Sequence, residues 1–221
     1  MITAILVAAG SSSRMGFDKL TADLAGKPVF RHTLDAFQSA DKIDAIVLVA
    51  SPALLASAQA LVGSPGLGKL TAVVAGGAER QDSVRAGIAA APVGTTHVAV
   101  HDAARPLVSP VAIDETVAAA LAHGAAVLAR PIPDTVKRVD ENGWITTPVD
   151  RTGLWAMETP QAARIDWLDA ALTAITSKGG HVTDEVSALQ EAGHQVHAVR
   201  SHAPNLKITW PEDIDTALRW L

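Results

Sequence analysis

Along the chain, short apolar runs alternate with longer stretches of helical period. ITAILVA (2–8) precedes KPVFRHTLDAFQSA (27–40), in which Phe30, Leu34 and Phe37 recur at i, i+4 and i+7, the spacing of one helix face. DAIVLVA (44–50), LTAVVAG (70–76), THVAVHD (96–102) and AAVLARPI (125–132) read as further strands. Between them, PALLASAQALV (52–62), RQDSVRAGIAAA (80–91) and SPVAIDETVAAALAHG (109–124) read as helices. The last of these has Ser109 as N-cap, Pro110 at the first helical position and Gly124 as its stop.

Strands alternating with helices predict a mostly parallel central sheet covered on both faces. Ligands of such sheets bind beyond the carboxyl ends of the strands, which directs attention to the residues after Ala8, Ala75 and Val100. The rhythm breaks at DTVKRVDENGWITTPVDR (134–151), which alternates at period two around DENG and reads as a hairpin. Such a hairpin is either an arm reaching a partner subunit or an antiparallel edge insertion. From it the chain is expected to pass to a helix, RIDWLDAALTAITSKG (164–179), then a helix at 184–192, a strand QVHAVRS (195–201) and a terminal helix from Pro211.

Length and composition narrow the class. With 221 residues, 48% of them hydrophobic and 19% charged, the chain is expected to form one α/β domain over 1–221. No apolar run approaches the roughly 18 residues of a membrane span, and no signal segment opens the chain. A soluble, cytoplasmic protein is the expectation. With no Cys, thiolate metal sites and cysteine nucleophiles are excluded. A net charge of −5 argues against an extended nucleic-acid surface; anions can still be bound where cations converge.

Three clusters follow the strands identified above. In VAAGSSSRMGFDK, Ala8, Ala9 and Gly10 let a flat base or a phosphate approach the backbone, with Arg14 and Lys19 following as phosphate-binding cations. The alternative is a solvated turn with surface cations; neither a Walker loop nor a dinucleotide fingerprint is present. GGAERQDSVRAG (76–87) puts Arg80 and Ser83 at a helix start, where anions are favoured. HDAARP (101–106) holds Asp102 and Arg105, either a structural ion pair or a carboxylate for hydroxyls or metal beside an Arg for phosphate. Further on, Thr183 or Asp184 opens a helix, as cap or as ligand, and Lys207 sits among apolar neighbours, where it snorkels from a sheet or serves a site. No histidine spacing suggests a metal site, and all eight are expected to be structural or surface residues, with His101 alone near a cluster.

Taken in order, AAGSSSRMG, GGAERQDSV, HDAARP, DTVKR, VDRTGLW, TPQ, TDE and NLKIT resemble the 2-C-methyl-D-erythritol 4-phosphate cytidylyltransferase family over essentially the whole chain. The resemblance implies a Rossmann-like nucleotidyltransferase fold with a protruding hairpin arm at about 133–152. It also implies CTP and the methylerythritol phosphate as substrates, Mg2+, and a homodimer through the arm. Carried over by residue, it implies nucleotide contacts from Ala8, Ala9, Gly10, Gly77, Ala78, Arg80 and Ser83. Arg14 and Lys19 would stabilise the transition state. Asp102, Ala103, Ala104, Arg105, Thr135, Arg151, Thr159, Thr183 and Lys207 would hold the sugar phosphate, with Arg151 and Lys207 in the reacting constellation and Thr135 and Arg151 reaching the partner's site. No metal ligand is assigned; Asp102 is the best candidate, and triphosphate oxygens with water would suffice. The alternatives are a ribitol 5-phosphate cytidylyltransferase and a non-catalytic nucleotide-binding module.

Overall fold

The computed structural model describes residues 1–10 and 18–221. In chain order it contains β1 (Ile2–Ala8), β2 (Asp23–Leu24), β3 (Lys27–Pro28), α1 (Val29–Ser39), β4 (Ala45–Ala50), α2 (Pro52–Gln59), β5 (Leu70–Ala75) and α3 (Arg80–Ala89). There follow β6 (His97–Asp102), α4 (Pro110–His123), β7 (Ala125–Pro131), β8 (Lys137–Val139), β9 (Ile145–Pro148) and β10 (Trp155–Arg164). The chain closes with α5 (Ile165–Ser177), α6 (Glu185–Glu191), β11 (His197–Arg200) and α7 (Glu212–Leu218).

One seven-stranded sheet runs in the order β11-β7-β10-β6-β1-β4-β5. The pairs β1–β4, β1–β6, β4–β5 and β7–β11 are parallel, while β10 is antiparallel to both β6 and β7. Successive strand residues point to opposite faces, and both faces are buried, which explains the continuous apolar runs. On one face Leu6, Ile46 and Leu48 pack with Phe30, Leu34 and Phe37 of α1, Leu54 of α2 and Ile113 of α4. On the other, Ile5, Val47, Val49, Val98 and Val100 pack with Val84 of α3, Leu168 and Leu172 of α5 and Leu189 of α6. Each such burial contributes about 1.5–3 kcal/mol.

Helix α3 approaches the sheet unusually closely because Gly87 lacks a side chain: a Cβ there would lie 2.4 Å from Ile5 Cγ2. Gly87→Ala should therefore destabilise the fold by about 1–3 kcal/mol through overpacking, read as a lower urea midpoint. An unchanged midpoint would show that α3 rides outward freely.

Two expectations need correction. Residues 155–164 form the strand β10, not a connection from hairpin to helix, and it is interior to the sheet. Its pairing with β7 is interrupted between Met157 and Gln161. Glu158, Thr159 and Pro160 therefore lie out of register with β7, and the Thr159–Pro160 peptide is cis. Proline and a broken alternation conceal such a strand. The segment around Lys207 is not a strand either: residues 201–209 belong to no regular element. Its fixed geometry comes from side-chain tethers rather than a ladder.

The hairpin is present as β8 and β9, which pair with each other and, among the described residues, with no other strand. Asp140 N–H donates to the Trp144 carbonyl at 3.0 Å, and Gly143 takes φ 87°, the left-handed turn position that favours glycine. Every residue of both strands is exposed.

Candidate functional site

The site begins where the parallel strands end. Backbone bonds tie the loops beyond them together: Ala103 N–H to the Val7 carbonyl at 3.0 Å, Ser51 N–H to Ala8 at 3.1 Å and Gly76 N–H to Ala50 at 3.0 Å. The loops after β1 and β5 are pressed so close that a Cβ on Gly76 would stand 2.2 Å from Ala9 Cβ. Ser83, buried on the first turn of α3, accepts the Gly77 N–H at 3.1 Å and donates to the Glu79 carbonyl at 3.3 Å. In this state its hydroxyl shapes the loop from within, while Gly77 and Ala78 themselves are exposed. Ala8 is buried and Gly10 exposed at the loop's rim. Arg14 lies outside the described residues.

At the end of β6, the carboxylate of Asp102 gathers three cations. Lys207 Nζ lies 2.8 Å and Arg105 Nε 3.7 Å from its Oδ2, and Arg80 Nε lies 3.3 Å from Oδ1. The Asp102 side chain is 11% exposed and that of Lys207 40% exposed, so the cluster faces outward through its lysine. Burial would raise the Asp102 pKa, but Arg80 and Lys207 outweigh it and hold the carboxyl well below its ordinary range. Arg80 also grips Glu185 with both terminal nitrogens, at 2.5 and 3.1 Å. Burial opposes its charge, yet Glu185 and Asp102 together push its pKa upward. Lys19 joins from the first loop, its Nζ 2.9 Å from the carbonyl of Ile208, the residue after Lys207. Arg80, Arg105 and Lys207 thus meet Asp102, Arg80 also meets Glu185, and Lys19 is held close by at the Ile208 carbonyl, a gathering of cations suited to phosphates.

Of the other residues singled out from sequence, Ala103 and Ala104 are buried, with carbonyls that accept Thr33 Oγ1 at 3.0 Å and Ile208 N–H at 2.8 Å. Thr159 is buried, and its hydroxyl accepts the Asp102 N–H at 3.2 Å while lying 3.0 Å from His101 Nδ1. Asp184, not Thr183, caps α6, accepting Ser187 N–H at 3.0 Å; Thr183 is exposed. Thr135 and Arg151 lie exposed at the base of the hairpin, and among the described residues no side-chain hydrogen bond or ion pair links Arg151 to the Asp102 cluster.

The sequence reading missed three residues. Glu185 lay within the quoted TDE, but nothing in the pattern announced a fully buried carboxylate there; burial pushes its pKa up against the pull of Arg80. Glu158 and Asn205 are the others, both buried and joined at 3.0 Å. Glu158 gave no signal, because the strand that buries it, β10, was itself not legible.

His101 stacks on Phe37, with ring centroids 4.9 Å apart, beneath the cluster. The Arg105 carbonyl, 3.4 Å from Nε2, can only accept, so the imidazole proton sits on Nε2 and Nδ1 accepts the Thr159 hydroxyl, whose oxygen also accepts the Asp102 N–H. Burial drives its pKa down from 6.5 to about 3. The unfolded chain therefore binds a proton below pH ~6.5 that the native chain refuses, so stability rises with pH across the window from about 3 to 6.5. Between pH 7 and 5 this group should remove up to about 2 kcal/mol. His101→Gln should flatten that slope in urea titrations, and parallel slopes would contradict the assignment.

The family model described as 2-C-methyl-D-erythritol 4-phosphate cytidylyltransferase matches residues 2–221. The chain belongs to this family. It is 39% identical over 219 residues to the family's protein from Pelotomaculum thermopropionicum, covering 98% of this chain and 92% of that one. To the Prochlorococcus marinus protein it is 38% identical, covering 96% and 95%. The solved structure of a 4-diphosphocytidyl-2C-methyl-D-erythritol synthase from Anaerococcus prevotii superposes with a TM-score of 0.86 at 27% identity, covering 99% and 95%. A Thermus thermophilus cytidylyltransferase gives 0.79 at 28% identity, covering 97% and 96%. The family is one of nucleotidyltransferases, so the chain is an enzyme of that class. No helix among the described residues is long and apolar enough to cross a membrane.

Proposed function

We propose that the chain transfers CMP from CTP to 2-C-methyl-D-erythritol 4-phosphate, releasing pyrophosphate. The observation that carries this reading is the convergence of Arg80, Arg105 and Lys207 on Asp102 beyond the carboxyl end of β6, with Lys19 held at the Ile208 carbonyl next to Lys207. The reaction needs such a field more than it needs a base. A phosphate monoester with a second pKa near ~6 is mostly dianionic at neutral pH. Its oxygen attacks the α-phosphorus of CTP, the bond from that phosphorus to the bridging oxygen breaks, and pyrophosphate leaves with both bonding electrons. Two anions must meet in line, so the barrier is lowered by positioning and by fixed positive charge.

In this reading the loops carrying Ala8, Ala9, Gly10, Gly77 and Ala78 form the nucleotide's bed. Their close approach at Gly76 keeps that bed narrow, which favours a pyrimidine. Arg14 and Lys19 attend the α-phosphate; Lys207, Arg105, Asp102 and Thr183 hold the acceptor. Arg80 and Ser83 act by shape, Arg80 by bracing Asp102 against Glu185 and Ser83 by holding Gly77. Thr159, Ala103 and Ala104 contribute by fixing the backbone that carries Asp102 and Arg105.

Magnesium comes with the family. The described residues do not offer it a protein site: three cations surround the Asp102 carboxylate, and no three His, Cys, Asp or Glu side chains cluster as ligands. We assign the ion to triphosphate oxygens and water.

We assign a homodimer built through the arm, in the cytoplasm. An isolated two-stranded hairpin is marginal in water, and this one exposes Val139, Ile145 and Trp144, the last 73% exposed. A partner that covers these side chains would bring Thr135 and Arg151 to a second active site. Mixing an inactive Lys19→Ala chain with an inactive Arg151→Ala chain should then restore activity in heterodimers; proven subunit exchange without recovery rules the arrangement out. The reaction itself is tested by pyrophosphate release with each of four nucleoside triphosphates and both methylerythritol and ribitol phosphates. Turnover confined to CTP and methylerythritol phosphate is the expected result. A preference for ribitol phosphate would reassign the acceptor, and tight CTP binding without turnover would leave only a binding module.

A further inference from the structure

Lys207 lies on a stretch that no helix or strand supports, yet its ammonium stands 2.8 Å from Asp102. The tethers of that stretch are few. Ile208 N–H donates to the Ala104 carbonyl at 2.8 Å, and Arg105 Nη1 donates to the Asn205 carbonyl at 2.7 Å. On the C-terminal side, Ile208 is buried in the core and its carbonyl accepts Lys19 Nζ at 2.9 Å. On the N-terminal side the anchor is the Asn205 side chain, whose Nδ2 donates to Glu158 Oε2 at 3.0 Å and to the Thr159 carbonyl at 2.8 Å. Both acceptors lie where β10 leaves its pairing with β7. The break in the ladder is therefore what makes a carbonyl and a carboxylate available to hold a neighbouring segment.

Glu158 is an unusual anchor. Its side chain is only 6% exposed, and its other oxygen is met by Arg130 Nε at 3.2 Å, from the end of β7. A buried carboxylate is costly unless paired and hydrogen-bonded, and here both conditions are met. Beside it runs a cavity of about 680 Å³ lined in part by Glu158, Asn205, Arg105, Lys207 and Trp220. The N-terminal side of the Lys207 segment thus has open space along it, into which it would shift if the Asn205 side-chain anchor were removed, while Ile208 stays held in the core. Asp102 alone cannot prevent this, since a lysine's four-carbon stem can keep one contact from many backbone positions.

We propose that Glu158 is a positioning residue for the acceptor end of the reaction: through Asn205 it sets the backbone from which Lys207 reaches the incoming phosphate. The inference rests on the function proposed above. It predicts a selective defect, because among the described residues the hydrogen bonds and ion pairs of Glu158 go to Arg130, Gln161 and Asn205 and none to Gly10, Gly77 or Ala78.

The test measures steady-state kinetics with CTP and the acceptor varied separately. Glu158→Ala should raise the acceptor KM about tenfold or more, as expected for losing a hydrogen bond to a charged group, and leave the CTP KM within about twofold. Glu158→Gln, which keeps an oxygen for Asn205, should recover most of the loss. In an Asn205→Ala background, itself defective in the same way, adding Glu158→Ala should change the acceptor KM by less than about twofold, because two residues acting in series are not additive. If Glu158→Ala does not fold, Asn205→Ala carries the prediction of a raised acceptor KM, and Glu158→Gln that of kinetics close to the parent's. An active wild type whose Glu158→Ala variant raises both KM values equally, or loses independently of Asn205, overturns the inference alone. A wild type that releases no pyrophosphate with any acceptor overturns the function it rests on as well.

Discussion

Asp102→Asn should weaken both the fold and the reaction, and by more than any other single change at the site. The substitution keeps shape and removes the charge on which Lys207, Arg80 and Arg105 converge. Removing one member of a buried charged cluster typically costs about 3–5 kcal/mol, because the others are left uncompensated. The lower end applies here: Arg80 retains Glu185, and the half-exposed Lys207 can turn to water. At about 2–4 °C per kcal/mol for a chain of this size, a loss of about 3 kcal/mol lowers Tm by roughly 6–12 °C. Catalysis should fall as well, since Lys207 loses the contact that aims it; a reduction of about 10²–10³ in kcat/KM for the acceptor is expected. The CTP KM should not rise, because the site becomes more positive. A variant as stable as the parent would mean that the cations are solvated rather than gathered.

Lys207→Ala separates the two effects. Its ammonium is exposed enough that its loss costs the fold about 1 kcal/mol or less, as for surface pairs. The reaction loses a fixed charge near the point where two phosphates meet, which is expected to cost about 2.7–4 kcal/mol of transition-state stabilisation, or 10²–10³ in rate. Urea unfolding and pyrophosphate release on the same preparation test the split. Lys207→Arg should not rescue it: a planar fork on a tethered segment cannot occupy the point position of an ammonium 2.8 Å from Asp102. Wild-type turnover in Lys207→Ala would remove this residue from the reacting constellation.

These effects were only partly legible beforehand. Runs such as AIVLVA announce themselves because a parallel strand buried on both faces has no polar side to show. Phe30, Leu34 and Phe37 announce α1 because one helix face meets the core. DENG announces the hairpin because its glycine takes φ 87°. Residues 155–164 announce nothing, since Glu158, Thr159 and Pro160 break the alternation where the strand breaks from its ladder. The partnership of Asp102 with Arg105, three residues apart, is readable locally, but that with Arg80 spans 22 residues, and those of Asp102 with Lys207 and of Arg80 with Glu185 span about half the chain.

By itself the sequence determined the alternation of the longer strands and helices from β1 to β7, the three loops that follow β1, β5 and β6, and the ordered motifs that mark the family. All of these depend on neighbours within a few residues, and local sterics and periodicity suffice to specify them. Only the tertiary structure decided which charges are neutralised and which remain for a phosphate. Ion pairing depends on distances set by strand order, and inserting β10 between β6 and β7 is what brings Glu158 and Asn205 under Lys207.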